Sequence, residues 1–365
     1  MWSGIVAETV FCDTLKDETR TMDKIESGKT RVFQVGPMDL NICLRKYFGC
    51  FISHFQSTFI EGESAVGVNP NSRQWQMKFK KFKTISDKFV NGDFKNYDAS
   101  LLYQICMGLA DVANYWYDDG PENAQIRRTL LASCFSAYHL VEDILFFFCQ
   151  GNPSGINMTS ILNCYANMFI FRYAYRKLVS RDLSKFLVHL MPWFYGDDNL
   201  SPVHRDIQDR FNMRTLAQVF ASIGMTYTSA NKSTELEDFV HIDDIEFLKR
   251  KFVDTENNVL APLEKQVILE IPRWCQSDPT LMVDQMQRFN SALLEISNYN
   301  QQEFRDMRNH FARWSMSLKQ AGYNINATDL ICWETARQIC DELYDPGQLS
   351  TRDQLVHSSA LEPLC

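Results

Sequence analysis

The run Phe186-Leu187-Val188-His189-Leu190-Met191-Pro192-Trp193-Phe194-Tyr195 is apolar and strand-like. It meets Gly196-Asp197-Asp198-Asn199 and then Leu200-Ser201-Pro202-Val203, a second short strand. Two extended runs across a glycine-containing turn predict a β-hairpin. The turn carries two adjacent carboxylates, Asp197 and Asp198. Like charges that close repel unless a cation or a strong donor relieves them. The plain alternative is an acidic surface turn, which these four residues alone do not exclude.

Further carboxylates lie upstream, in Asp93-Phe94-Lys95-Asn96-Tyr97-Asp98. Residues 85–90 read as a strand, so Asp93 is expected at a strand end. A third carboxylate beside an acidic hairpin makes an oxygen-rich site suited to Mg2+, which takes one or two carboxylates plus waters and substrate phosphates. Two such ions about 3.5–4 Å apart form the clamp used for in-line phosphoryl transfer. Asp98 also fits the N-cap of a helix over residues 99–117.

Between these two stretches lies Gly151-Asn152-Pro153-Ser154-Gly155-Ile156-Asn157-Met158-Thr159. A loop of this composition leading into a helix suits close approach to a phosphate or sugar. The helix is predicted over residues 158–178 with Asn157 as its N-cap. Thr159, Asn163 and Asn167 then fall on one face, a polar stripe suited to a polar ligand. A capped core helix with a few buried amides is the plain alternative.

The 365 residues are 45% apolar and 22% charged, an ordinary globular composition that excludes a disordered, collagen-like or coiled-coil chain. The length favours two or three subdomains. The formal charge of −8 argues against a protein that simply coats nucleic acid, but not against a local basic channel. The eleven cysteines are odd in number and form no Cys-x-x-Cys, so neither a disulfide framework nor a zinc knuckle is expected. Residues 144–171 carry no charge over a membrane-like length. Polar residues from Gln150 to Asn167 interrupt them, so they are expected to be buried soluble structure and not a span.

Apolar spacing predicts further helices over residues 101–117, 122–136, 206–223, 281–297, 302–321 and 329–343. Residues 245–253 read as a strand. The expected class is α+β, with a boundary near residues 253–262 and a loose polar C-terminal end.

Together these pieces resemble the palm of a viral RNA-dependent RNA polymerase of the picorna-like group. Its motif A matches at Asp93 and Asp98, its motif B at Ser154, Gly155, Thr159 and Asn163, and its motif C at Tyr195-Gly196-Asp197-Asp198. Upstream, Lys16-Asp17-Glu18-Thr19-Arg20, Lys24 and Gly28-Lys29-Thr30-Arg31 resemble the basic motif F. Downstream, Ala230-Asn231-Lys232-Ser233 resembles motif D and Phe247-Leu248-Lys249-Arg250 resembles motif E. The six stand in the family's order over residues 16–252.

The resemblance implies a right-hand polymerase: an antiparallel palm sheet with packed helices, partial fingers and a helical thumb. Residues 1–84 would be partial fingers, 85–253 the palm with inserted finger helices around 110–150, and 254–365 the thumb with its loose tail. It implies RNA-directed RNA synthesis, an RNA 3′-hydroxyl attacking the α-phosphate of a nucleoside triphosphate. Asp93 and Asp197 are the implied ligands of two Mg2+ ions, with Mn2+ an expected substitute. Asp198 would assist, and the backbone carbonyl of Phe94 would be a further ligand. Lys16, Arg20, Lys24 and Arg31 would line the nucleotide path. Asp98, Ser154, Gly155, Thr159 and Asn163 would hold the nucleotide in one pocket, with Asp98 and Asn163 reading its 2′-hydroxyl. Lys232 would be the general acid for pyrophosphate, and Phe247, Leu248, Lys249 and Arg250 would grip the primer. Template and primer RNA, nucleoside triphosphates and other viral replication proteins are the implied partners. The host cytoplasm, at viral replication complexes, is the implied setting.

A reverse transcriptase shares the metal-binding aspartates, but such enzymes place a bulky aromatic at the position matching Asp98. A non-catalytic RNA-binding palm remnant is the other rival class, and the intact aspartates weigh against it. Members of the family carry a long fingers segment before the Lys-Asp-Glu motif, which fifteen residues precede here. The chain is therefore expected to be a piece of a longer polymerase, with residues 16–31 loosely held and low activity in isolation.

Overall fold

The computed structural model describes residues 8–18, 20–230, 235–256, 258–273, 282–323 and 325–342. The chain forms two compact units. One holds Met1–Gly67 with Ile85–Val240, the other Val68–Thr84 with His241–Cys365. These borders cut the chain differently from the three stretches expected from sequence, because Val68–Thr84 joins the C-terminal unit. The expected loose tail lies outside the described residues.

The first unit is built on an antiparallel sheet whose strands lie in the order Trp193–Tyr195, Asp198–Pro202, Lys88–Lys95, Thr226–Ser229. The helix Thr159–Leu178 packs on this sheet through Phe171, whose ring meets Phe194 edge-on at 4.9 Å. The central strand needs glycine at 92, because a Cβ there would lie 2.1 Å from the buried Tyr227 ring. Tyr227 in turn packs on Phe94 and Phe220, at ring separations of 5.0 and 5.3 Å.

A second sheet takes the order Val32–Val35, Val10–Leu15, Ala137–Val141, Ile144–Phe148. It anchors both ends of the basic segment, and the Lys16 amide donates to the Arg31 carbonyl at 2.8 Å. Phe11, which is fully buried, fastens this sheet to the core. The expectation that residues 16–31 are loosely held took no account of these flanking strands. Of residues 144–171, expected to be buried, those from Gly151 on mostly are, and those from Ile144 to Gln150 are exposed. Ile144–Phe148 is an edge strand, and each of its five residues is about half exposed.

Several elements differ from the sequence reading. Residues 186–195 are not one strand. The amides of His189 and Leu190 bond back to Lys185 and Phe186, closing a helical turn at Phe186–His189. Pro192 has no N–H for a ladder, so the strand begins only at Trp193. Residues 206–223 divide because Asn212 and Thr215 form a capping box that starts a new helix at Met213–Ala221. Residues 99–117 also break, into Tyr97–Ser100 and Tyr103–Tyr117.

His189 is half-buried, with its Nδ1 2.8 Å from the Tyr175 hydroxyl and its ring stacked on His204 at 5.9 Å. Burial first, and the charge of His204 second, hold its pKa below the ordinary histidine value. The unfolded chain therefore binds this proton more readily than the folded one. The stability involved is present above the unfolded pKa of about 6.5 and is lost as pH falls below it. The melting temperature is expected to drop between about pH 7 and pH 5, and His189→Gln to flatten that slope. Parallel slopes in the two proteins would contradict this assignment.

In the second unit, the helix Arg73–Lys83 buries Trp75, Phe79 and Phe82. Phe252 stacks on Trp75 at 4.2 Å and on Phe79 at 5.2 Å. The helices Met282–Ile296, Gln301–Gln320 and Trp333–Glu342 enclose Phe289, Leu293, Phe304, Phe311 and Ala336. The last helix starts later than expected because Ala327–Asp329 forms a separate 3-10 turn. Among the described residues, no helix is long and apolar enough to cross a membrane.

Candidate active site

Asp93 lies in the last three residues of its strand, one position beyond the pair formed by Gly92 and Asn199. On the neighbouring strand Asp198 lies one position before Asn199, and Asp197 sits in the tight turn that follows Tyr195. The sheet register therefore delivers these carboxylates to one end. Asp197 has its pKa raised, chiefly by burial and then by the negative charges of Asp93 and Asp98. Asp197 is close enough to Asp93 and to Asp98 to feel both charges. Such a cluster favours a hard cation, and cation binding would weaken as pH falls and the carboxylates protonate. Among the described residues, no three carboxylates, imidazoles or thiolates are already gathered tightly enough to hold an ion by themselves.

Asp98 is not a helix cap. Its Oδ1 accepts from the Asn163 amide at 2.7 Å, and burial raises its pKa while that hydrogen bond opposes the rise. The Asn163 Oδ1 in turn accepts from Asn152 at 2.8 Å. Asp98 thus sits at the end of a buried amide chain that fixes its orientation.

The loop before the long helix is folded by its own side chains. The Thr159 hydroxyl donates to loop carbonyls, those of Pro153 and Ile156. Asn157 is not the N-cap either, because its amide group and backbone N–H are engaged by Asn41. Ser154 donates to Gln34 Oε1 at 2.9 Å, and Gly155 bridges to Val35. A cavity of about 750 Å³ opens here, lined among others by Lys16, Arg31, Val32, Asp98 and Ser154. Asn163 stands behind Asp98, outside that lining. A second cavity of about 280 Å³ shares Val32, Asp98 and Ser154.

The basic segment is organised by an acid within it. Glu18 receives Arg31 through two nitrogens and Arg20 at 2.7 Å. The Arg31 hydrogen bond is the main cause that pushes the Glu18 pKa down to about 2, with the charges of Arg31, Arg20 and Lys16 adding to it. Glu18 first, and Asp197 more weakly, hold the Arg31 pKa up. Arg31 and Lys16 therefore belong to the site. Arg20 also pairs with Glu18 but is not among the cavity-lining residues, and Lys24 is exposed on the short helix Met22–Glu26, likewise outside that lining. Lys232 lies outside the described residues.

In the other unit, residues 245–253 are not one strand. Glu246–Phe247 and Arg250–Lys251 pair as a tight hairpin with Leu248 and Lys249 at positive φ, 55° and 59°. Phe247 is buried against Trp75, and Arg250 binds Glu295 through two nitrogens at 2.7 and 2.8 Å. Of the four residues expected to grip a primer, Lys249 is the exposed one. Sequence reading missed Glu18, Gln34, Asn152 and Cys164. Their signal is pairing across long sequence separations, which local spacing does not carry.

The sequence profile of a family described as viral RNA-dependent RNA polymerase matches residues 1–316. The replicase polyprotein of acute bee paralysis virus is 34% identical over 336 residues, 87% of this chain and 17% of that polyprotein. The replicase polyprotein of cricket paralysis virus is 31% identical over 362 residues, 94% of this chain and 20% of that one. The chain thus spans a fifth or less of these two relatives. Among solved structures, the Sicinivirus 3Dpol RNA-dependent RNA polymerase superposes with a TM-score of 0.76 at 20% identity, over 92% of this chain and 68% of that one, a likeness of fold. The mixed sheet and helices are those of a right-hand polymerase, and the chain belongs to the viral RNA-dependent RNA polymerase family.

Proposed function

We propose that this chain transfers nucleoside monophosphate from a triphosphate to an RNA 3′-hydroxyl under the direction of an RNA template. The observation that carries the reading is the meeting of Asp93, Asp98 and Asp197, with Lys16 and Arg31 on the wall of the adjacent 750 Å³ cavity. That volume suits a nucleotide-sized ligand.

The raised pKa of Asp197 and the hard oxygen donors fit divalent ions, so Asp93 and Asp197 would hold two Mg2+, with Asp198 and the Phe94 carbonyl beside them. When bound, these ions lower the hydroxyl pKa and neutralise charge developing on phosphate. The chain's own residues do the rest. Arg31, fixed by Glu18 through Nε and Nη2, keeps its Nη1 donors for a phosphate oxygen. Lys16 adds a second positive charge on the same wall. The 3′-oxygen bonds to the α-phosphorus as the bond to pyrophosphate breaks, and Lys249 at its hairpin tip is suited to a primer phosphate. The buried Asn152–Asn163–Asp98 chain holds the Asp98 carboxylate at the cavity edge, positioned to accept from a ribose 2′-hydroxyl. We take the setting to be viral replication complexes in the host cytoplasm, alongside other replication proteins, because relatives are replicase polyproteins.

The Asp98 network favours ribonucleotides over the reverse-transcriptase reading. A site built around a hydroxyl rejects the analogue lacking it, because polar groups are left unpaired. Asn163→Ala is expected to lower the preference for ribo- over deoxyribonucleotides by about tenfold, or about 1.4 kcal/mol, and to lower the total rate less. Competing incorporation of the two sugars measures this. An unchanged ratio would show that the network does not select the sugar.

A further inference from the structure

The backbone of the Tyr195-Gly196-Asp197-Asp198 turn is held from the helix Thr159–Leu178 by two side chains one helical turn apart. Asn167 is fully buried, and its amide donates to the Gly196 carbonyl at 2.7 Å and to the Asp197 carbonyl at 3.3 Å. Cys164, also fully buried, accepts the Gly196 N–H at 3.2 Å and donates to the Phe194 carbonyl at 3.3 Å. The Asn167 Oδ1 has no hydrogen-bond partner among the described residues, a cost that buried polar groups seldom carry without a role. Turning the amide over would set its oxygen against two carbonyl oxygens, so the donor orientation is dictated. Asn163, one turn earlier on the same helix, holds Asp98.

We infer that Cys164 and Asn167 are positioning residues that set the placement of the Asp197 carboxylate relative to Asp93 and Asp98, and through it the affinity of the site for divalent cations. This rests on the metal-binding reading above. The helix acts as one rail: it fixes Asp98 through Asn163 and the hairpin turn through Cys164 and Asn167. Cys164→Ser keeps an O–H donor and acceptor of similar size, whereas Cys164→Ala removes both.

The test is Mn2+ binding alone, read from the electron paramagnetic resonance of free Mn2+ titrated with the full chain. Asp197→Asn should remove the tight site. Asn167→Ala should weaken it about tenfold, as removal of groups orienting metal ligands does. Cys164→Ala should weaken it several-fold and Cys164→Ser should restore it. Circular dichroism confirms that each variant is folded. A merely structural role would change melting and not Mn2+ affinity. If Asp197→Asn abolishes binding while Asn167→Ala and Cys164→Ala bind like wild type, this inference fails and the metal site stands. If wild type and Asp197→Asn bind alike, the metal-binding reading itself fails and takes this inference with it. Should Asn167→Ala not fold, the two Cys164 variants decide alone, and equal affinity in alanine and serine overturns the assignment.

Discussion

Asp197→Asn is expected to reduce templated incorporation by at least about a thousandfold, equivalent to about 4 kcal/mol of barrier. The amide keeps the side chain's size and an acceptor oxygen for the backbone N–H groups of Asp197 and Asp198, and the bonds between this turn's backbone and Asn167 and Cys164 stay in place. The fold should therefore survive. The change removes one negative charge from a site where burial first, and repulsion by the charges of Asp93 and Asp98 second, raise the Asp197 pKa. Relief of that repulsion makes the variant no less stable than wild type, and a melting curve checks this beside the rate. A variant that folds and still turns over at the wild-type rate would remove Asp197 from the chemistry.

Gly155→Ala carries the second large effect. A Cβ at this position would lie 1.7 Å from the Gln34 carbonyl oxygen and 2.7 Å from its carbon. These are backbone atoms and cannot swing aside as a side-chain tip does. Either the loop or the strand Val32–Val35 must move, and that strand supplies Val32 and Phe33 to the cavity wall next to Arg31. Overpacking of this kind costs about 1–3 kcal/mol, and backbone obstruction puts it at the upper end. Nucleotide affinity is expected to fall by an order of magnitude or more, together with a lower melting temperature. Gly49→Ala is the control, because its Cβ meets open space within the helix Met38–Ser57 and alanine is the better helix former. Equal behaviour of the two variants, measured by melting and nucleotide titration, would contradict the packing argument.

The parts legible in the sequence were those where local pattern and chemistry coincide. The acidic turn between Tyr195 and Asp198, the strand leading to Asp93, and the helices at residues 159–178 and 301–320 all announce themselves by spacing. What was not legible depends on contacts between distant residues. Nothing local marks Glu18 as the partner of both Arg20 and Arg31, since alternating charge on an exposed surface reads the same way. Asn167 was visible as a polar position on a helix face, but its tie to the hairpin turn appears only when helix and sheet are packed. Asn157 was misjudged as an N-cap for a related reason: Asn41 captures its hydrogen bonds. Thr159, expected to hold the nucleotide, donates to the Pro153 and Ile156 carbonyls. Arg250, expected to grip the primer, is paired with Glu295, 45 residues away in sequence.

The central claim is that the carboxylates at the end of this sheet support metal-dependent RNA synthesis. Its most direct measurement is extension of a labelled RNA primer on an RNA template, with nucleoside triphosphates and Mg2+ or Mn2+. The chain should be expressed with whatever reading frame precedes Met1 and compared with its Asp197→Asn variant. Template-matched extension that requires the metal and vanishes in the variant is expected. Folded wild-type protein that extends nothing, or extension that persists undiminished in Asp197→Asn, would contradict it.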